Sequence, residues 1–273
     1  MIEVADGVLV ATSRIMATTS TVLHRDGDAL LIDPAWLADE LDALADELDA
    51  RGLRVVGGFA THAHHDHLLW HPRFGPAPRW ASAATATLAR EERARLVAQL
   101  GEGFPEDLVE LMGRVEATVP SPSPRIDGTL SGASGRVGPA VIPPSSVPQG
   151  FAPELVIHDG HAPGHTALWL PEQKVLIAGD MLSDLELPLP FDPDDLPSYL
   201  AALDLLAGYV ARAAVVIPGH GTPGTDAVAR LDADRRYLDD VIARRMPTDP
   251  RLANPGMPEE YAHLRRMVDA LGS

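Results

Sequence analysis

The run RVVGGFATHAHHDHLLW, residues 54–70, sets a largely apolar segment directly against four histidines and an aspartate, and His71 follows at once. The chain has eleven histidines, and five of them fall between positions 62 and 71. Residues 54–60 read as a buried strand. The histidines therefore stand at a strand end, where rigid scaffolds present functional side chains. Backbone conformation then decides which of them can act together. On a helix, positions i and i+2 lie about 200° apart, and His62 and His64 could not face one ion. On an extended segment they share a face, so the pair is a bidentate clip for one metal and His65 points away. Asp66 and His67, where the chain turns, address a second ion on the far side of the first. Two ligands for each ion leave a tetrahedral or five-coordinate metal under-supplied. A fold that hosts this segment must bring further donors from other strands.

The flanking sequence supplies such strands. VLVAT (8–12) and STVLHRDGDALLID (20–33) are β-rich, and Asp26-Gly27 breaks the second run with a hairpin signal. Asp33-Pro34 reads as an N-cap with proline at the first helical position. Leu37, Leu41, Leu44 and Leu48 follow at helical spacing, and Arg51-Gly52 ends that helix. Residues 85–100 and 105–115 look helical. Strands ELVIH (154–158), TALWL (166–170), KVLIAGD (174–180) and AVVIPGHG (214–221) come next, with a helix near 197–207 between the last two. Helices near 225–245 and 258–271 end the chain. Seven prolines, six serines and five glycines mark 120–150 as a long loop inserted in the frame. Strands and helices alternate in both halves and no linker divides them, so the expectation is an α/β fold in a single domain, 1–273.

Nine histidines lie in three places: 62–71, then His158, His161 and His165, then His220. Each place is a strand end or the loop after it. The candidates for the missing ligands are His165 in HAPGHT, Asp180 in the strand-end pair Gly179-Asp180, and His220 in PGHG. THAHHDH, PGHT, a strand closing in GD and a later GHG, in this order, resemble the metallo-β-lactamase-fold hydrolase superfamily, in its glyoxalase II and lactonase-like binuclear branch. The resemblance runs from the first hairpin to about residue 225 and leaves out the C-terminal helices and the 120–150 insertion. It implies a four-layer αββα sandwich with extra C-terminal helices. It also implies that His62, His64 and His165 hold one metal, that Asp66, His67 and His220 hold the other, and that Asp180 bridges them. Asp66 would then be both ligand and catalytic acceptor, orienting a hydroxide and carrying its proton. His161 and His71 read as outer partners, pocket residues or satisfied polar groups. His24 and His263 are assigned nothing.

Composition narrows the chemistry. The chain has no cysteine, which excludes a thiolate metal site, a disulfide framework and a cysteine nucleophile. It also departs from the lactamases that use a cysteine ligand. A net charge of −17 argues against a nucleic-acid partner, since phosphate binding needs clustered positive charge. The N-terminus MIEVADGVLVATSR lacks a basic region before an apolar core, and no apolar run approaches a membrane span. A cytoplasmic protein with no membrane partner is the expectation.

Histidine and carboxylate donors suit two divalent ions, zinc first, with iron and manganese as alternatives. The expected activity is hydrolysis of a small-molecule ester, lactone or thioester. A mononuclear iron dioxygenase acting on persulfides and a non-catalytic metal- or ligand-binding module are the alternatives. The insertion and residues 185–197 are candidate pocket walls, and Trp70 and Tyr199 are either substrate contacts or packing. Arg235-Arg236, Arg244-Arg245 and Arg265-Arg266 read as solvated helix faces. The terminal helices either cover the sandwich or join a partner, which leaves a homodimer open.

Overall fold

β-rich runs at 8–12 and 20–33 predict a sheet at the start of the chain, and the computed structural model, which describes residues 1–120, 140–191 and 193–271, shows one. Strands β1 (Ile2–Ala5), β2 (Val8–Thr12), β3 (Thr19–Arg25) and β4 (Asp28–Ile32) form an antiparallel meander. Asp26 and Gly27, with φ of 51° and 86°, make the β3–β4 turn, the left-handed geometry that favours this dipeptide. Helix α1 (Ala38–Ala50) then crosses over to β5 (Arg54–Phe59), parallel to β4. Strands β6 (Arg79–Ala81) and β7 (Glu116–Ala117) extend the sheet to seven strands. Helices α2 (Ala83–Glu91), α3 (Arg93–Gln99) and α4 (Glu106–Leu111) lie between those two strands in the chain.

A short ribbon pairs β8 (Val119–Pro120) with β9 (Ala140–Val141). The second sheet has the order β10 (Glu154–Ile157), β11 (Thr166–Leu170), β12 (Val175–Gly179), β13 (Val215–Pro218). Its last two strands are parallel and joined by α5 (Leu196–Val210). Helices α6 (Ala227–Ile242) and α7 (Met257–Leu271) close the chain.

Alternate residues of each strand enter different cores, and this builds the layers. Val8, Val10, Leu23, Leu30 and Ile32 of the first sheet meet Leu168, Leu170, Val175, Ile177 and Ile217 of the second. Their neighbours Leu9, Val22, Ala29 and Leu31 face α1, where Leu41, Leu44 and Leu48 supply the expected stripe. Leu176, Ala178 and Val216 face outward against α5, α6 and α7. Three cores separate four layers, the αββα sandwich. Each fully buried Leu, Ile or Val contributes about 1.5–3 kcal/mol of transfer free energy.

The crossover helix α5 covers the second sheet through Leu203 and Leu206, and the terminal helices α6 and α7 join it through Leu238, Val241, Leu264 and Val268. Trp70 and Tyr199, 2% and 1% exposed, are packing residues. Of the expected 120–150 loop, residues 121–139 lie outside the described part. Residues 140–150 are scaffold. Ile142 enters the inter-sheet core, and Trp80 Nε1 donates to Ser146 Oγ at 3.0 Å. The helix expected from an Asp33 cap begins later, at Ala38, with the Glu40 carboxylate accepting from Leu37 N. Asp33 is engaged elsewhere.

Candidate metal centre

Strands β4, β5, β12 and β13 end on the same rim of the sandwich, and the loops leaving them converge there. Backbone bonds tie the two sheets at this rim. Thr19 N donates to Gly219 O at 2.7 Å and Thr166 N to Thr61 O at 2.9 Å. The loop after β5 carries residues 61–67, the loop before β11 carries 158–165, Asp180 follows β12, and His220 follows β13.

Two groups of donors result. His62, His64, His161 and Asp180 bring one atom each within 4.8 Å of one another, as do Asp66, His67 and His220. In the first group His64 Nδ1 lies 3.0 Å from His62 Nε2 and 3.1 Å from His161 Nε2. In the second, His67 and His220 approach through their Nε2 atoms at 3.4 Å, with Asp66 Oδ2 3.4 Å from each. Asp180 stands between the groups. Its Oδ2 is 3.3 Å from His62 Nε2 and 3.2 Å from His220 Nε2. Its Oδ1 is buried and makes no hydrogen bond among the described residues, although His67 Nε2 is 3.2 Å away. An orphaned carboxylate oxygen is costly without a cation, and the nitrogen and oxygen donors around it form a set that suits a divalent metal. The residues fit the metal pair that the sequence implies.

Six of the seven expected ligands meet here, and the seventh place is taken differently. His165 is the expected third histidine of the first group, but the structure brings His161 there. The reason lies in hydrogen bonding. His165 Nε2 accepts from the Asp180 backbone N–H at 3.0 Å, which occupies the lone pair a metal would need. Its Nδ1 faces His158 Nε2 at 3.3 Å, and the two rings stack 4.7 Å apart. His165 thus aims Asp180 from behind. His161 instead rests Nδ1 on the Leu189 carbonyl at 3.0 Å and turns Nε2 inward. The spacing H-A-P-G-H leaves both histidines open, and only the turn between them separates their directions.

The same device orients other rings. A carbonyl or carboxylate can only accept, so it holds the proton on Nδ1 and leaves the Nε2 lone pair free. His67 Nδ1 lies 3.0 Å from Asp33 Oδ2, and His220 Nδ1 lies 3.1 Å from Met16 O. Asp33 also accepts from Thr61 N and Thr61 Oγ1 at 2.8 and 2.6 Å. Its sequence context, Asp-Pro after a strand, is the usual sign of a helix cap and conceals this role. Thr18 carries no sequence signal at all. Its hydroxyl donates to Asp66 Oδ2 and lies within reach of His220 Nδ1, both at 3.2 Å. Two glycines make room for the carboxylate. A side chain at Gly219 would run into Asp180 Oδ1, and one at Gly179 (φ 56°) into the His165 ring. The expected bystander His65 packs edge-on to Trp36, 4.6 Å between centroids. His71 caps the turn at Pro72–Phe74.

Charge is distributed unevenly. Burial keeps His62 well below the ordinary imidazole range and pulls His161 down to about 4. Burial also opposes charge on His67 and His220, but Asp180 and Asp66 outweigh it, raising His67 well above its usual value and His220 to about 10, so a cation bound there would compete with a second proton for each Nε2. Asp180 and Asp66 are held ionised by the surrounding histidines against their burial. Burial pushes Glu186, on the loop after Asp180, up to about 7.

Comparison with known proteins agrees with this geometry. The model of the metallo-beta-lactamase superfamily matches residues 14–220. A metallo-beta-lactamase family protein from Thermus thermophilus superposes with a TM-score of 0.60 at 22% identity, covering 97% of this chain and 90% of its own. A beta-lactamase domain protein from Burkholderia ambifaria gives 0.59 at 20% identity, covering 99% and 87%. A metallo-beta-lactamase from Pontibacter korlensis gives 0.54 at 20% identity, covering 85% and 94%. At these identities the structures speak for the fold, while the family match spans the strands and loops that carry the donors. The chain belongs to the metallo-beta-lactamase superfamily, and its two donor groups make it a metal-dependent hydrolase.

Proposed function

We propose that the chain hydrolyses a small-molecule ester, lactone or thioester with a pair of divalent ions, zinc first among them. His62, His64 and His161 would hold one ion, Asp66, His67 and His220 the other, and Asp180 both. The observation that carries this reading is the Asp180 carboxylate, shared between two groups that are each otherwise complete. A mononuclear iron oxygenase would have no use for the second group. When bound, two such ions supply acidification of water toward a pKa of about 7 and polarisation of a carbonyl.

The rest falls to the protein. Asp66, oriented by the Thr18 hydroxyl, is the group placed to accept a proton from the attacking water. Asp33, Met16 and Leu189 keep the histidine rings in register, so that no reorganisation accompanies the reaction. The charge of −17 favours a small substrate over a nucleic acid. Among the described residues no helix is long and apolar enough to cross a membrane.

The test is metal content of the purified chain by plasma mass spectrometry, followed by turnover of a panel of lactones, esters and thioesters. About two ions per chain, as a two-metal site requires, with hydrolysis of at least one class, is the expected result. A single iron per chain, with no hydrolysis on the panel, would overturn the reading.

A further inference from the structure

Two arginines from the C-terminal layer, beyond the span that the family model matches, are buried at the edge of the site. Arg251 is 6% exposed and Arg230 is 7% exposed. Arg251 Nη1 donates to the carbonyls of Ser183 and Glu186, both at 2.9 Å. It is balanced by Asp234 at 2.7 Å, and by Asp249 through Nε and Nη2 at 3.0 and 2.8 Å. Arg230 reaches the Leu182 carbonyl at 3.3 Å through Nη1 and the Thr222 carbonyl at 3.0 Å through Nη2. These acceptors belong to the loop that leaves Asp180 and to the loop that carries His220.

The two loops are tied to each other as well. Ser183 Oγ donates to the His220 carbonyl at 2.6 Å and accepts from Leu185 N and Glu186 N. Asp184 accepts from Thr222 N at 2.9 Å and from the Thr222 hydroxyl. The chain of contact therefore runs from Arg251 through the Ser183 carbonyl and hydroxyl to the backbone of His220. Each link is a directed hydrogen bond between buried or half-buried groups. The planar guanidinium serves several acceptors at fixed angles, which an ammonium cannot do.

We propose that Arg251, supported by Arg230, is a positioning residue for the His220 half of the metal site. The C-terminal helices act chiefly on that half, because among the described residues the hydrogen bonds of the two arginines lead through Ser183 and Thr222 to the His220 loop, and none ends on His62, His64, His161 or the Leu189 carbonyl that orients His161. This rests on the two-metal reading above. A role confined to holding the C-terminal layer on the sheet would weaken the whole fold and favour neither ion.

The experiment is a titration of the full chain with zinc alone against a competing chelator, for wild type, His220→Ala, Arg251→Lys and the double variant Arg251→Met/Asp234→Leu. The double variant removes Arg251 together with its fully buried partner Asp234, and the half-buried Asp249 that remains keeps the hydrogen bond from the backbone N–H of residue 251. Loss of a partner bonded directly to a ligand typically weakens metal affinity about 10–100-fold, and Arg251 acts one step further out, through Ser183, so a loss near the lower end, about tenfold, is expected. The expected result is that loss on one ion only, in both arginine variants, with the other ion held within about threefold. His220→Ala should affect the same ion. Should the double variant fail to fold, Arg251→Lys keeps the charge balance and still lacks the fork, so its isotherm decides. Two ions bound as tightly as in wild type, or two ions weakened alike, would overturn the proposal. A wild-type chain that binds fewer than two zinc ions would instead overturn the two-metal reading, and this inference with it.

Discussion

The first sheet delivers His62, His64, Asp66 and His67 from one loop after β5, while the second delivers His161, Asp180 and His220 from three. The first loop is fixed from close by. Asp33, one residue beyond the neighbouring strand, accepts from Thr61 and His67 and so sets both ends of the run. The second set has no such common anchor among the described residues. His161 leans on Leu189, Asp180 on His165 and two glycines, and His220 on Met16, Thr18 and Ser183. A local cluster can be held by one carboxylate. A dispersed one needs a different support at every donor, and the C-terminal layer is one of those supports.

Asp180 is where the two sets meet, so its removal gives the largest effect. Asp180→Ala should lower hydrolysis by more than the roughly 100-fold that marks the upper end for an outer partner, with an unchanged circular dichroism spectrum. The sharper comparison is His161→Ala against His165→Ala. The first should lose one ion and suffer a similar collapse. The second should keep both ions and lose about tenfold, since it removes only the acceptor behind Asp180. The opposite pattern in metal content would restore His165 to the ligand set.

Much of this is legible in the residues alone. Strand β5 and the histidine run are contiguous, so the residues alone pair His62 with His64 and Asp66 with His67, although the chain that separates the two pairs is a bend at 61–64 and a turn at 65–67 rather than the extended segment expected. The β-rich character of β2 to β4 is equally plain, and alternation along them sends Val8 and Val10 one way and Leu9 the other. What cannot be read depends on turns. His161 and His165 share a composition and differ only in direction, which the bend closed by His165 N and the Ala162 carbonyl determines. Asp33 carries the local signature of a helix cap, and only tertiary contact with Thr61 and His67 overrides it. Arg251 is still further from the sequence signal, since its partners Ser183 and Glu186 lie in a loop with no motif.

Asp33→Asn tests the anchor of the local set. The amide keeps the size but loses a charged acceptor, so His67 is no longer held with its proton on Nδ1. An outer partner of a metal-bound histidine is worth about 10–100-fold in metal affinity or activity, and kcat/KM should fall within that range. A folded variant with wild-type kcat/KM and zinc affinity would mean that the loop holds its shape without the carboxylate.

The smallest effect expected in this comparison lies behind the dispersed set, in the pH dependence of His158. Burial lowers its pKa from 6.5 to about 4, and it stacks on His165 without joining either donor group. The folded state thus resists a proton that the unfolded chain accepts. Stability is intact above about pH 6.5 and falls as the pH drops through the window from 6.5 to 4, where only the unfolded chain is protonated at this position. A shift of that size corresponds to about 3 kcal/mol at most. His158→Gln keeps an acceptor for the Gly160 N–H that bonds His158 Nδ1 and removes the titration. With chelator present, so that metal release plays no part, urea unfolding of the variant should show a flatter loss of stability between pH 6.5 and 4. Parallel curves for variant and wild type across that window would mean that His158 is solvated well enough to take its proton in the folded state, and that the support behind Asp180 is looser than its stacked rings suggest.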